Sequence, residues 1–148
     1  MADVTDTWAD VELEPYRALS ASELDFGVMT AHVLNRNLDA DLPATLSQPI
    51  QTGMLRDSLD FDGVLFSDDM QMEAIRSFYG LEFAIENAIN AGVDVLVFGN
   101  NSVYQPDIVP QVINIILQLV EDGSISEERI NESYSRIMSS KQKLGLIE

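Results

Sequence analysis

Two adjacent carboxylates, Asp68 and Asp69, follow the apolar run of residues 64–66. A short apolar run bounded by a turn is typical of a buried parallel strand, and α/β proteins place their reactive groups at the carboxyl ends of such strands. Because side chains alternate along a strand, we expect the two carboxylates to point in different directions, one toward a pocket and one toward the structure. The same spacing also suits a helix cap with Glu73 in the first turn, and spacing alone favours capping over catalysis.

Residues 61–64 have the sequence Phe-Asp-Gly-Val, residues 67–70 have Ser-Asp-Asp-Met, and a second methionine follows at position 72. This pattern resembles the nucleophile motif of glycoside hydrolase family 3. In that family the Asp directly after Ser or Thr attacks the anomeric carbon, so the resemblance implies that Asp68 is the catalytic nucleophile. The β-glucosidase branch usually has Trp at the next position, and Asp69 therefore indicates the branch that removes β-linked N-acetylglucosamine.

Hydrophobic periodicity predicts three strands, at residues 25–33, 64–66 and 93–98. Amphipathic helices are predicted around them, at residues 11–20, 49–59, 70–78, 81–89, 107–121 and 126–144. Because strands and helices alternate, we expect three βα units with right-handed crossovers and a parallel sheet.

A complete (β/α)8 barrel needs about 250 residues, whereas this chain has 148. The resemblance to family 3 extends from about Asp10 to the C-terminus and corresponds to the last three strands of the family barrel. We therefore predict an α/β fold that is a partial (β/α)8 TIM barrel, with residues 1–148 forming the C-terminal portion of a family 3 catalytic domain. Residues 1–10 show no apolar periodicity, which predicts an irregular lead-in.

A retaining glycoside hydrolase needs a nucleophile and a separate acid/base. The family segments that contact the sugar, and the loop whose His pairs with Asp as acid/base, have no counterpart in this chain. The resemblance thus implies a glycosidase of carbohydrate metabolism that hydrolyses terminal β-linked N-acetylhexosamine, with Asp68 as nucleophile and an incomplete site in the isolated chain. We expect Ser67 and nearby backbone amides to hydrogen-bond Asp68 and keep it ionised. The alternative is a non-catalytic, degenerate half-barrel that binds sugar or a partner chain.

Three further residues are candidate substrate contacts. His32 is the only histidine and ends the first predicted strand, where a substrate contact and a hydrogen-bonded core histidine are equally well supported. Met70 could line a sugar pocket, although helical spacing favours packing. Asn100 follows the third strand, which suits a pocket rim or a plain turn equally. No metal site is predicted, because no second histidine or clustered ligand set is present, and no cofactor is implied.

The formal net charge of −17 argues against nucleic acid and anionic membrane surfaces as partners, because both would repel the chain. No segment approaches the ~20 apolar residues of a membrane span. The acidic residues 1–6 lack the basic region of a signal peptide, which favours a cytoplasmic protein.

The expected partners follow from the family and from the sheet. The resemblance implies a carbohydrate substrate, an N-acetylglucosaminide such as a peptidoglycan or chitin fragment. Three parallel strands leave two unpaired edges. We therefore expect the chain to bind a complementary N-terminal half of the barrel or to self-associate.

Overall fold

The protein, described here by a computed structural model that covers residues 1–101 and 104–148, is built on parallel strands. The strands are β1 (Ala2–Asp3), β2 (Val28–Met29), β3 (Val33–Leu34), β4 (Leu65–Asp69) and β5 (Val95–Val97). One sheet has the order β2-β4-β5, and a second, two-stranded sheet pairs β1 with β3; every pairing is parallel. The predicted α/β fold with a parallel sheet is confirmed and corresponds to part of a (β/α)8 barrel.

Strands β4 and β5 lie where the apolar runs predicted them, but the first predicted strand is divided. Only Val28–Met29 pairs with β4, and Val33–Leu34 pairs instead with Ala2–Asp3. The lead-in of residues 1–10 is therefore not wholly irregular, contrary to the prediction. Its strand forms because the backbone of residues 2–4 finds hydrogen-bond partners some 30 positions away (Val4 N to Leu34 O, 2.8 Å), a pairing that local periodicity does not reveal.

Among residues 1–101 and 104–148, five α-helices pack around the sheet. They are α1 (Glu14–Ser20), α2 (Glu73–Arg76), α3 (Leu81–Ala91), α4 (Ile108–Glu121) and α5 (Glu127–Lys143). The predicted helix at residues 49–59 is present as Pro49–Ser58 but has the wider π-type winding, as in the bond from Leu59 N to Met54 O at 3.1 Å. Across the described ranges, none of these helices has both the length and the apolar content needed to cross a membrane.

Helix α3 connects the two halves of the hydrophobic core. Ala84 and Ala88 pack in the cluster that contains the fully buried Leu65 of β4. On the same helix, Ile85 belongs to a second cluster, together with Ile108 of α4. The inner stripe predicted for this helix is thus buried, and it holds α4 against the sheet.

A buried ion network lies at the amino end of β5. The Asp94 side chain is 0% exposed. Its two oxygens accept five hydrogen bonds, from the helix Pro49–Ser58, from β4 and from α5. The donors are Arg56 Nη2 (2.8 Å), Leu65 N (3.0 Å), Arg129 Nη2 (3.2 Å), Ser133 Oγ (2.7 Å) and Arg136 Nη1 (3.4 Å). One carboxylate therefore joins β4, β5, α5 and the helix Pro49–Ser58.

Candidate active site

Asp68 lies at the carboxyl end of β4, the position that the strand pattern predicted for a reactive group. Its side chain is half-buried. The carboxylate oxygen Oδ1 accepts a hydrogen bond from the backbone N–H of Asp69 at 2.8 Å. This bond turns the Asp68 carboxylate back toward its own backbone and fixes one of its two oxygens.

The pairing of β4 with β5 contains a bulge at this point. Phe66 is opposite Val95 and Asp69 is opposite Val97, so three steps along β4 match two along β5. A bulge interrupts the strict alternation of side chains and re-aims them, and bulges are frequent beside active sites. The alternation that we assumed for Asp68 and Asp69 therefore does not continue unbroken through the motif.

Ser67 stabilises the bulge instead of contacting the nucleophile candidate. Its side chain is fully buried, and its Oγ accepts a hydrogen bond from Val97 N at 2.8 Å. The hydroxyl thus provides an acceptor on β4 for a backbone donor of β5. The expected bond from Ser67 to Asp68 is not the one that the structure records, because the side chain faces the neighbouring strand.

Asp69 connects the end of β4 to the segment after β5. Its Oδ1 accepts hydrogen bonds from Gln71 N and Gly99 N, both at 3.0 Å. A Cβ atom at position 99 would lie 2.6 Å from Asp69 Oδ2, so this close approach requires glycine. Asp69 therefore has a structural role, which is to hold the segment after β5 against the end of β4.

His32 is buried, with 4% of its surface exposed. Nε2 lies 3.0 Å from the Asp69 carbonyl oxygen, and Nδ1 lies 2.9 Å from Thr45 Oγ1. Because a carbonyl oxygen only accepts, Nε2 carries a proton in this arrangement. Of the two interpretations that the sequence left open, the geometry is that of a hydrogen-bonded core histidine.

Met70 and Asn100 are likewise engaged within the fold. The Met70 side chain is 1% exposed and packs in the core beside the sheet. The Asn100 side chain bonds to the backbone of Gln105: its Oδ1 accepts from Gln105 N (2.7 Å) and its Nδ2 donates to Gln105 O (3.1 Å), at a positive φ of 51°. Both side chains thus have partners within the protein, and a sugar contact by His32, Met70 or Asn100 stays a prediction.

Sequence reasoning did not identify the polar residues that support these groups. Thr45 is fully buried between His32 and Thr30. Gln71 bridges to the segment after β5, since its Oε1 accepts from Asn100 N at 2.7 Å and its Nε2 donates to Gln105 Oε1 at 3.3 Å. The sequence did show polar residues among apolar ones near the strand ends, which indicates buried hydrogen bonds. Residue spacing could not show which groups these side chains bond to.

Two surface grooves lie at the opposite end of the sheet from Asp68. One, of about 640 Å³, includes Phe26 and Gly63; the other, of about 560 Å³, includes Arg56 and Gly92. These residues precede β2, β4 and β5, so both grooves open at the amino ends of the strands. Among residues 1–101 and 104–148, no three His, Asp or Glu side chains gather in a metal-binding arrangement.

Parallel strands alternating with helices, and a carboxylate at the carboxyl end of the central strand, define this chain as part of a (β/α)8 barrel. Comparison with known proteins then gives the particular barrel. The chain belongs to the glycosyl hydrolase family 3 N-terminal domain, whose family model matches residues 4–140.

Individual relatives agree with this assignment. A β-hexosaminidase of Tolumonas auensis is 38% identical over 99 residues, which are 64% of this chain and 29% of the relative. The structure of a glycoside hydrolase family 3 β-N-acetylglucosaminidase from Paenibacillus sp. is 40% identical with a TM-score of 0.79, over 88% of this chain and 24% of that one. The β-N-acetylglucosaminidase of Thermotoga maritima is 32% identical with a TM-score of 0.74, over 85% and 27%. The chain thus spans less than a third of the length of these relatives.

Proposed function

We propose that this chain carries the nucleophile portion of a retaining β-N-acetylhexosaminidase and that Asp68 is the nucleophile. The observation that carries the proposal is the position of Asp68, half-buried at the carboxyl end of the central strand and beside a bulge. Family membership over residues 4–140 supports the reaction class, because glycoside hydrolysis with retention uses a carboxylate at such a site.

The geometry suggests how Asp68 would act. Its Oδ1 is held by the Asp69 amide at 2.8 Å, so Oδ2 is the oxygen that would attack the anomeric carbon. The new C–O bond would form as the glycosidic bond breaks, and the leaving oxygen would take a proton from a separate acid. Water would then displace Asp68 from the same carbon, and two inversions give retention.

The proposed substrates are glycosides with a terminal β-linked N-acetylhexosamine, such as fragments of chitin or peptidoglycan. Support comes from the relatives named β-hexosaminidase and β-N-acetylglucosaminidase. Within this chain the only histidine is His32, and both its ring nitrogens are engaged in the core. The acid/base is therefore proposed to come from outside these 148 residues.

A complementary barrel portion is the proposed partner. In the described part of the chain, β2 and β5 each pair with β4 alone, which leaves the outer edge of each strand open. Apolar side chains are exposed near these edges and along α4: Met29 at the end of β2, and Val109, Ile113 and Leu117 at intervals of four residues on one face of the helix. Burying such a face and both edges is what the remaining strands and helices of a barrel would do.

A chimera tests the proposal. Residues 4–140 would replace the matching segment of the Paenibacillus enzyme, which supplies the remaining strands. We expect the chimera to hydrolyse an aryl N-acetyl-β-glucosaminide, Asp68→Asn to abolish turnover, and Asp69→Asn to weaken it through positioning. Turnover that survives Asp68→Asn in a folded chimera would overturn the assignment, as would equal and complete loss in both variants.

The isolated chain separates a partial enzyme from a sugar-binding half-barrel. A general acid contributes roughly 10²–10⁴-fold, so we expect no hydrolysis of chitobiose without it. A dinitrophenyl N-acetyl-β-glucosaminide departs without protonation, and its slow reaction would leave a sugar on Asp68 that mass spectrometry can locate. Reversible sugar binding with no labelling would favour the non-catalytic half-barrel. Efficient cleavage of chitobiose would show that the chain contains an acid that we have not identified.

A further inference from the structure

We propose that His32 is a positioning residue for Asp68, acting through the backbone carbonyl of Asp69. This inference rests on the proposed role of Asp68 and extends it, because it explains how the nucleophile candidate is held in one orientation. His32 was expected either to touch the substrate or to fill the core. The geometry gives its ring a third task, which is to fix the end of the bulged strand.

The ring is part of a buried chain of hydrogen bonds that crosses from β2 to β4. Thr30 Oγ1 lies 2.8 Å from Thr45 Oγ1, which lies 2.9 Å from His32 Nδ1, and His32 Nε2 lies 3.0 Å from the Asp69 carbonyl oxygen. With the proton on Nε2, Thr45 donates to Nδ1 and Thr30 donates to Thr45, so every group in the chain has a partner. A fully satisfied buried network of this kind restricts the ring to one orientation.

The Asp69 carbonyl accepts two hydrogen bonds, from Met72 N at 2.9 Å within the turn that follows β4 and from His32 Nε2 at 3.0 Å. The last backbone bond from β2 is Thr30 N to Phe66 O at 2.9 Å. Beyond it, β2 no longer runs beside β4, and the bond from Met72 is local to the turn. His32, two residues after Thr30, provides the donor that connects this carbonyl to the segment after β2.

Fixing this carbonyl fixes Asp68. The peptide between residues 69 and 70 is held on both sides, by His32 and the Met72 N–H at its carbonyl and by Val97 O at its own N–H (2.9 Å). This restricts the backbone of Asp69, whose own N–H donates to Asp68 Oδ1. The ring and the nucleophile candidate are therefore connected through a single residue, and both bonds lie in the bulge where strand pairing alone does not determine the backbone.

Leucine and glutamine at position 32 form a matched pair of variants. They are similar in volume, but only His32→Gln retains an N–H that can reach the Asp69 carbonyl. Thr45→Val is a second, independent variant, because it removes the bond to Nδ1 and leaves residue 32 unchanged. If the ring only fills space, the two substitutions at position 32 should behave alike.

The test on the 148-residue chain uses NMR and requires no turnover. The Asp69 amide proton reports on the orientation of Asp68, because it donates to that carboxylate at 2.8 Å and is protected from exchange with solvent while that bond is formed. We expect His32→Leu to lose most of this protection, His32→Gln to retain most of it, and the imidazole ¹⁵N shifts of the unsubstituted chain to give the proton to Nε2. Unchanged protection in a folded His32→Leu chain, or equal loss in both variants, would overturn the proposal. If neither variant folds, Thr45→Val decides: a reduced protection supports positioning, and an unchanged one refutes it.

The chimera adds a kinetic readout. A misplacement of a reacting group by 1 Å can cost 10²-fold, so we expect His32→Leu to lower kcat by about 10²-fold with little change in KM, and His32→Gln to restore part of it. A raised KM at constant kcat would instead indicate a substrate contact. If Asp68→Asn keeps activity, the proposed function fails, while the NMR result on the Asp69 amide still decides whether His32 orients Asp68.

Discussion

Replacing Asp94 with asparagine should lower the free energy of unfolding by about 3–5 kcal/mol, the usual cost of breaking a buried ion pair. The side chain is 0% exposed and is surrounded by three guanidinium groups, from Arg56, Arg129 and Arg136. Burial lowers the pKa of Arg56, Asp94 offsets part of that, and the other two arginines lower it further. Since arginine stays protonated, removing the carboxylate leaves three cations facing one another.

The magnitude follows from the hydrogen bonds that asparagine cannot accept. Asp94 Oδ1 accepts from Arg129, Arg136 and Ser133, and Oδ2 accepts from Arg56 and the backbone of Leu65. The side chain of asparagine has an NH₂ group in place of one carboxylate oxygen. The set of donors that bonded to that oxygen in Asp94 would then face another donor and lose its hydrogen bonds. Even the smaller set loses one bond to a charged group, worth about 1.5–3 kcal/mol, and one neutral bond, worth about 0.5–1.5 kcal/mol. Repulsion among the arginines adds to this loss.

Urea unfolding followed by circular dichroism and by the fluorescence of Trp8 gives the measurement. A loss of 3–5 kcal/mol is a large part of the 5–15 kcal/mol typical of a domain, and it should lower Tm by roughly 6–20 °C. Asp62→Asn is the matched control, because Asp62 also pairs with Arg136 but its side chain is 91% exposed, and exposed pairs stabilise little. Equal, small effects of the two substitutions would refute the assignment of Asp94 as the centre of a buried network.

Four further outcomes are expected. Burial raises the pKa of Asp94, but its hydrogen bonds and the arginine charges outweigh burial and hold the pKa below the ordinary 3.8. The ionised Asp94 therefore stabilises the fold fully above pH ~4, and this stabilisation is lost as the pH falls through the lower pKa of the folded state. Urea unfolding of Asp94→Asn at a series of pH values should lack this loss. Gly99→Ala should displace the Asp69 carboxylate, visible as a changed Asp69 amide shift. Ser126→Ala should cost about 1 kcal/mol in urea unfolding, because Ser126 Oγ caps α5 by accepting from Arg129 N; Ser126→Asp should not. Sizing chromatography should show concentration-dependent association through the open sheet edges, whereas a compact monomer with a strongly protected sheet would contradict it.

Local signals in the sequence predicted the elements that local chemistry specifies. The apolar runs before Asp68 and after Gly92 are strands β4 and β5, and Gly92 ends α3 at a φ of 120°, as its position after an apolar stripe indicated. Ser126 begins α5 and caps it, again as the pattern of Ser followed by two glutamates predicted. In these cases the residues that determine the structure are neighbours along the chain.

The remaining features depend on residues that are distant in sequence. The donors to Asp94 lie between 29 and 42 positions away, so neither the charge nor the spacing of Asp94 indicated its role. The bulge at β4 results from register against β5, and the division of the first predicted strand results from pairing with residues 2 and 3. His32 could be placed at a strand end, but its task depended on the Asp69 carbonyl, which has no sequence signature.

Strands β4 and β5 are joined by a buried ion network at their amino ends and by a bulged pairing at their carboxyl ends. At the amino end, Asp94 and three arginines form a buried network that stabilises the sheet in a fixed register. At the carboxyl end, that register requires one extra residue in β4, and Asp68 lies in the resulting bulge. A bulge is confined to where it forms only if the pairing before it cannot slip. The Asp94 network and the His32 bond therefore act on Asp68 in different ways. The Asp94 network determines where the bulge forms in β4, and the His32 bond determines how the Asp68 carboxylate is oriented within that bulge.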